Sequence, residues 1–105
     1  MYMGYVYLIE DTYNNSYKIG VAKDVNKRIK ALQTGNVCKL KLIYSYETKY
    51  PYRLESMLHS YYKQYNVFNE WFELDNPKEF LSKCDELSNI IESLKDNPFF
   101  NKNLK

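Results

Sequence analysis

The chain has 105 residues, 45% of them hydrophobic and 27% charged, which suits a single domain able to bury its own core without metal or disulfide staples. No apolar stretch approaches the about 20 residues of a membrane-crossing helix. No basic-then-apolar leader opens the chain, Cys38 and Cys84 stand far apart, and there is one histidine, so secretion, a disulfide framework and a zinc cluster are not expected. The net charge is only +2, but residues 1–65 carry ten Lys/Arg against five Asp/Glu and residues 66–105 carry five against eight, which points to an anionic partner for the first part.

Gly4 to Glu10 (G-Y-V-Y-L-I-E) is β-branched and aromatic and predicts a strand. Asp11 to Ser16 is a turn cluster, and Tyr17 to Val21 predicts a second strand closing a hairpin. Asp24 can cap a helix whose stripe is Val25, Ile29 and Leu32, ended by Gly35 and Asn36. Leu40 to Glu47 alternates Leu40, Leu42, Tyr44 and Tyr46 against Lys39, Lys41, Ile43 and Ser45, a third strand with one apolar face. Pro51 opens a helix with a buried stripe of Leu54, Met57 or Leu58, Tyr61 and Tyr65. Asn66 to Asn69 reads as a connection and Glu70 to Leu74 as a short extended segment. Asn76, Pro77 and Glu79 form a capping box for a last helix on Phe80, Leu81, Cys84, Leu87, Ile91 and Leu94, with fraying from Pro98 onward. The expected architecture is α+β: a small three-stranded antiparallel sheet flanked by helices. Residues 1–74 form the core, and 75–105 add a C-terminal helix and tail.

The order of short motifs carries the functional signal. A strand reading V-Y-L-I is followed by one reading Y-K-I-G, then by a helix with Arg28, then by a helix reading L-E-S-M-L-H, then by Tyr65-Asn66 and E-W-F. Over residues 4–74 this resembles the GIY-YIG nuclease domain, and more narrowly its phage- and virus-associated branch, in which Y-K-I-G replaces the commoner second motif. The resemblance implies a metal-dependent endonuclease acting on DNA, with RNA as a possible substrate, through one-metal in-line attack by water with Mg²⁺ or Mn²⁺. The absence of a leader and of an apolar span, with two unpaired cysteines, makes an intracellular protein the expectation, cytoplasmic or nuclear in a eukaryotic host, without a membrane. The alternative is a catalytically weak or inactive nucleic-acid-binding module of the same fold. A third reading, from a different class, is a protein-interaction module using its many tyrosines.

By that resemblance Tyr7 is the tyrosine of the first motif and the expected base. A free phenol, with a pKa of about 10, needs help to act as one. On its own a strand tyrosine reads as sheet packing. Lys18 stands where most of the family has a tyrosine. Tyr17, one position earlier, points to the opposite face, and the Lys18 ammonium is expected to face Tyr7 across the hairpin and favour phenolate, or to hold the attacking water or phosphate. Gly20 lets a helix or phosphate approach the backbone. Arg28, one of two arginines against 13 lysines, can grip a phosphate oxygen bidentately. Glu55 matches the metal-ligating glutamate, and one carboxylate plus water suits Mg²⁺. His59 shares its helix face at i+4 and can assist proton transfer or touch phosphate. Lys23, Lys27, Lys30 and Asn66 are the expected nucleic-acid contacts, although Asn66 can instead order the site. Trp71 and Phe72 read as core rather than base-stacking residues. The acidic C-terminal part leaves specificity to a homodimer or a targeting partner protein.

Overall fold

A computed structural model describes residues 3–95. The elements run β1 (Gly4–Asp11), β2 (Ser16–Ala22), α1 (Val25–Thr34), β3 (Leu40–Thr48), α2 (Pro51–Tyr61), β4 (Asn66–Phe68), β5 (Trp71–Phe72) and α3 (Phe80–Leu94), with single 3₁₀ turns at Lys63–Tyr65 and Pro77–Glu79. The α+β class stands, but the sheet has five antiparallel strands in the order β3-β1-β2-β5-β4, not three. The extra pair comes from the segments read as a connection and an extended stretch. They fold back on a two-residue turn at Asn69-Glu70, where Asn69 takes the left-handed φ of 51° that asparagine tolerates.

β1 lies between β3 and β2 and is buried on both faces, which explains its near-continuous apolar sequence. Val6 and Leu8 point to one face and join Ile19, Leu54, Leu58, Phe72, Phe80, Cys84 and Ile91 under α2 and α3. Tyr7 and Ile9 point to the other and meet Ala22, Val25 and Leu40 under α1. The hairpin of β1 and β2 is closed by Asp11, which accepts hydrogen bonds from the Tyr13 and Asn14 amides at 3.0 and 3.1 Å and from Asn14 Nδ2 at 2.8 Å.

The single apolar face expected for β3 does not exist. A bulge sets Leu8 opposite Tyr44 but Ile9 opposite Leu42. One extra residue flips the alternation. Leu40 and Leu42 therefore pack on the α1 side, and Tyr44 and Tyr46 on the α2–α3 side.

Helix α2 buries Leu54, Leu58 and Tyr62 at i, i+4 and i+8, and leaves Tyr61 and Tyr65 exposed. Tyr65 lies beyond the helix, on the 3₁₀ turn, so the helical period no longer places it. Asp24 caps α1 as expected, accepting from the Lys27 amide at 3.1 Å. The capping box at Asn76 is absent: Asn76 makes no side-chain cap, Pro77–Glu79 is a 3₁₀ turn, and the Glu79 carboxylate accepts from the Tyr62 hydroxyl at 3.0 Å. α3 belongs to the main core through Phe80, Cys84, Leu87 and Ile91. Leu81, expected in its stripe, is exposed. Both cysteines are free thiols, and burial pushes Cys84 up to about 12. The expected fraying from Pro98 lies outside the described residues. Among the described residues no helix is long and apolar enough to cross a membrane.

Candidate nucleic-acid active site

The short β5 shapes the site. It pairs with only Tyr17 and Lys18 of β2, and one further bond runs from the Ile19 amide to the Glu70 carbonyl at 3.2 Å. Beyond that point the outer edge of β2 has no strand partner. The Ile19 carbonyl, on the same edge as its amide, is met by His59 Nε2 of α2 at 3.0 Å. A carbonyl only accepts, so Nε2 carries the proton and Nδ1 is the free lone pair of neutral His59. The ring is held edge-on against Phe72, with centroids 5.0 Å apart. One turn earlier on α2, Glu55 Oε2 lies 3.9 Å from the same nitrogen. The gap in the sheet edge thus brings a helix from the Val6 face into reach of groups on the Tyr7 face.

Tyr7 is 1% exposed, and its register partner is Gly20. Its ring lies over that glycine: a Cβ on Gly20 would stand 2.6 Å from Tyr7 Cζ and closer still to the hydroxyl. The space left open by Gly20 is therefore filled by Tyr7, not kept for a helix or a phosphate. Burial pushes Tyr7 up to about 12; Arg28 pulls it down, while Glu70 and Glu55 push it further up. The phenol is neutral at ordinary pH.

Lys18 does not act on Tyr7. It stands opposite Ile9, and its Nζ binds Glu70 Oε1 at 2.9 Å and sits 5.7 Å from the centre of the Trp71 ring. Tyr17 points to the other face, as alternation requires, and packs with Ile19 and Phe72. Glu55 has a side chain only 21% exposed. Burial raises its pKa above the ordinary carboxylate value, His59 lowers it, Glu70 raises it and Lys18 lowers it. Tyr7, Arg28, Glu55, Glu70, Lys18 and His59 thus form one electrostatically connected group. Arg28 is exposed and lines an open cleft of about 440 Å³ with Val21, Ala22, Lys23 and Tyr52. Lys27 joins Lys23 and Arg28 in an adjoining cleft of about 400 Å³. Lys30 is exposed on α1 and lines neither cleft. The Asn66 amide donates to the Asn69 carbonyl at 2.8 Å and to the Trp71 carbonyl at 3.0 Å, so it holds the hairpin that carries Glu70.

Glu70 and Tyr52 are the site residues that sequence reasoning missed. Glu70 was visible only as part of E-W-F, and its partner Lys18 lies 52 positions away. The available signal was the pair of short apolar runs, V-F and W-F, flanking Asn69-Glu70, a two-residue hairpin pattern.

Residues 4–94 match the T5orf172 domain, and the match covers most of the chain. The chain belongs to the T5orf172 domain family. This is a phage-type domain often linked to endonuclease-associated domains. The domain is also similar to "Uncharacterized protein 460R" of Invertebrate iridescent virus 6, 34% identical over 59 residues, covering 54% of this chain and 27% of the viral protein. The T5orf172 chain therefore corresponds to about a quarter of that relative. No solved structure matches it.

The late titration of Tyr7 is directly measurable. Its pKa is raised from 10.0 to about 12, so the stability that the neutral phenol contributes is complete below pH 10 and is lost as the pH climbs toward 12. Ultraviolet tyrosinate absorbance should show a late step, shared with Tyr62, which burial and Glu79 push up further, and with Tyr17 and Tyr46; Tyr7→Phe should shrink that step by one phenol and leave the bulk of the tyrosines unaltered. A titration curve that Tyr7→Phe changes only near pH 10 would contradict this placement of the phenol.

Proposed function

We propose that this T5orf172 domain is a metal-dependent endonuclease that hydrolyses DNA phosphodiester bonds by in-line attack of water, in the manner of the GIY-YIG nucleases. The observation that carries the reading is the grouping around one buried phenol: Arg28 from α1, Glu55 from α2 and Glu70 from the β4–β5 turn all act on Tyr7 of β1. Perturbed titratable groups cluster at functional sites, and Arg28, one of the groups acting on Tyr7, also lines both cationic clefts.

Arg28 is the residue to grip a phosphate oxygen, since it is exposed and no carboxylate pairs with it among the described residues. Lys23 and Lys27 extend the cationic lining to neighbouring phosphates, contacts that position without reading sequence. Tyr7 is neutral and 1% exposed, so it acts on a phosphate only through a bridging water. It becomes a base only when added positive charge offsets Glu55 and Glu70. His59, fixed to the β2 backbone, orients Glu55 and keeps Nδ1 available for a proton.

The donor set fits a largely hydrated Mg²⁺ or Mn²⁺ rather than a protein cage. Among the described residues no three His, Cys, Asp or Glu side chains cluster as ligands, while Glu55 is a half-buried carboxylate whose charge Glu70 disfavours. A bound ion would neutralise charge developing on the phosphate and the leaving oxygen. DNA is the proposed substrate, with a second copy or a targeting protein supplying site choice.

A second reading, a binding module with little cleavage, draws on the high pKa of Tyr7 and on the capture of Lys18 by Glu70. Incubation of the protein with supercoiled plasmid and Mg²⁺ or Mn²⁺ separates the two. We expect nicking that stops on chelation and weakens as salt rises. Salt-dependent binding without nicking in either metal would sink the enzyme and leave the module. Neither binding nor nicking would sink both and favour a protein partner.

A further inference from the structure

The cleft that carries Arg28 is lined by two kinds of side chain. Lys23 and Arg28 bring charge, Val21, Ala22 and Tyr52 bring apolar surface, and no carboxylate lines it among the described residues. Val21 packs with the core under α2 and α3, and Ala22 with the core under α1. The cleft therefore straddles the end of β2, beyond the residues that pair with β5. Arg28 enters it from α1 and Tyr52 from α2. Its volume of about 440 Å³ is that of a small-molecule site.

Tyr52 is tied to the catalytic group through its helix. Tyr52, Glu55 and His59 stand at i, i+3 and i+7 of α2 and share one face. His59 meets the Ile19 carbonyl, while Tyr52 lies beside Val21 and Ala22. The helix thus runs back along β2 with Glu55 between the other two, about 4.5 Å along the axis from Tyr52. Glu55 and Arg28 both act on Tyr7, so Tyr52 borders the group from the side of the cleft. It is 67% exposed, so its ring is open to a ligand.

We propose that Tyr52 is a substrate-binding residue whose ring stacks on the base next to the phosphate gripped by Arg28, so that the substrate carries an unpaired base at the cut. This rests on the nuclease reading and adds a residue and a substrate class to it. A nucleotide matches the lining in both its parts: the phosphate takes the cations, and the flat base takes the ring and the aliphatic floor. A bare phosphate would leave Tyr52 and Val21 uncovered, and an uncharged ligand would make no use of Lys23 and Arg28. The base is unpaired because a base inside a duplex has both faces covered by its neighbours. A tyrosine ring stacks on any base, so the preference is for strandedness and not for sequence.

The test measures binding by the full chain in EDTA, so that nothing is cut, through the fluorescence anisotropy of a labelled oligothymidine strand and of a duplex of equal length. Tyr52→Ala should weaken strand binding roughly tenfold, within the range for loss of one base–aromatic stack, and leave duplex binding unchanged. Tyr52→Phe should bind the strand as wild type does, since the ring and not the hydroxyl makes the contact. Arg28→Ala should weaken strand and duplex alike and flatten the salt dependence of both. Tyr52 is exposed, so both of its variants should melt with the parent. Equal weakening of strand and duplex by Tyr52→Ala, no weakening of either, or a loss in Tyr52→Phe as large as in Tyr52→Ala overturns the stacking contact. Nicking of supercoiled plasmid by wild type with Mg²⁺ judges the nuclease reading separately. Nicking with unaltered strand affinity in Tyr52→Ala overturns the base contact alone, whereas the expected Tyr52 pattern without nicking supports the contact and overturns the enzyme. Wild-type protein that binds neither strand nor duplex overturns both.

Discussion

Replacing Glu55 with glutamine should abolish cleavage and make the protein more stable at neutral pH. The two effects have one cause. Glu55 is an ionisable group with little exposure, and its carboxylate is disfavoured first by burial and then by Glu70, with His59 and Lys18 only partly offsetting this. A carboxyl whose folded pKa is raised stabilises the fold fully below its unfolded pKa of about 4.5, and that contribution is lost as the pH rises through the higher folded value. At pH 7 ionised Glu55 is therefore a cost to folding. Glutamine keeps the shape and removes the charge, so the melting temperature should rise at pH 7. The gain should vanish below about pH 4.5, where Glu55 is itself neutral. Cleavage should fall roughly a hundred- to thousandfold or more, the scale for losing one preorganised electrostatic group. Added Mg²⁺ should raise the melting temperature of wild type and not of Glu55→Gln. Paired thermal melts across pH with and without Mg²⁺ measure all of this. A variant that melts lower than wild type at pH 7 would mean that Glu55 is structural and would remove it from the proposed metal site.

The same locality explains what the sequence revealed and what it hid. β1, β2, α1, α2 and α3 were legible because each signals itself over seven or more residues, through apolar runs, a capping Asp24 or a helical stripe. β4 and β5 were not, since strands of three and two residues have no periodicity to read. Their consequence is large: without that hairpin Lys18 has no Glu70, and the sequence-level expectation that Lys18 would act on Tyr7 follows naturally. The flip in β3 was hidden for a related reason. An alternation of apolar residues is visible in sequence, but a bulge that reverses its facing halfway depends on the partner strand. Tyr62, rather than Tyr61, lies in the core because the stripe steps by four from Leu54 to Leu58 to Tyr62, and a helical period alone admits steps of three and four alike. Tyr7, Arg28 and Glu55 were singled out by the order of motifs, while the pairing of Glu70 with Lys18 across 52 positions was a tertiary fact.

The Tyr7 ring fills the space that Gly20 leaves open, and Gly20→Ala should be strongly damaging. An added Cβ would lie 2.6 Å from Tyr7 Cζ, a distance that real side chains do not show, and 3.0 Å from Cε1, which is already tight. Tyr7 cannot swing aside, because it is 1% exposed and enclosed with Ile9, Ala22, Val25 and Leu40 beneath α1. Either β1 and β2 separate or the ring moves, and overpacking of this kind costs about 1–3 kcal/mol. Displacing the hydroxyl by about 1 Å should cost cleavage roughly a further hundredfold, because the reacting geometry is lost along with stability. The backbone at Gly20 has no positive φ, so the damage is not a matter of backbone conformation. That distinction gives the decisive control. In a Tyr7→Ala background the ring is gone, and Gly20→Ala should then be nearly neutral for stability. A double-mutant cycle by denaturant unfolding should therefore return a coupling of about 1–3 kcal/mol between positions 7 and 20. Additive effects would show that Gly20 is required for some other reason, and that Tyr7 is not held by this contact in the place where the site needs it.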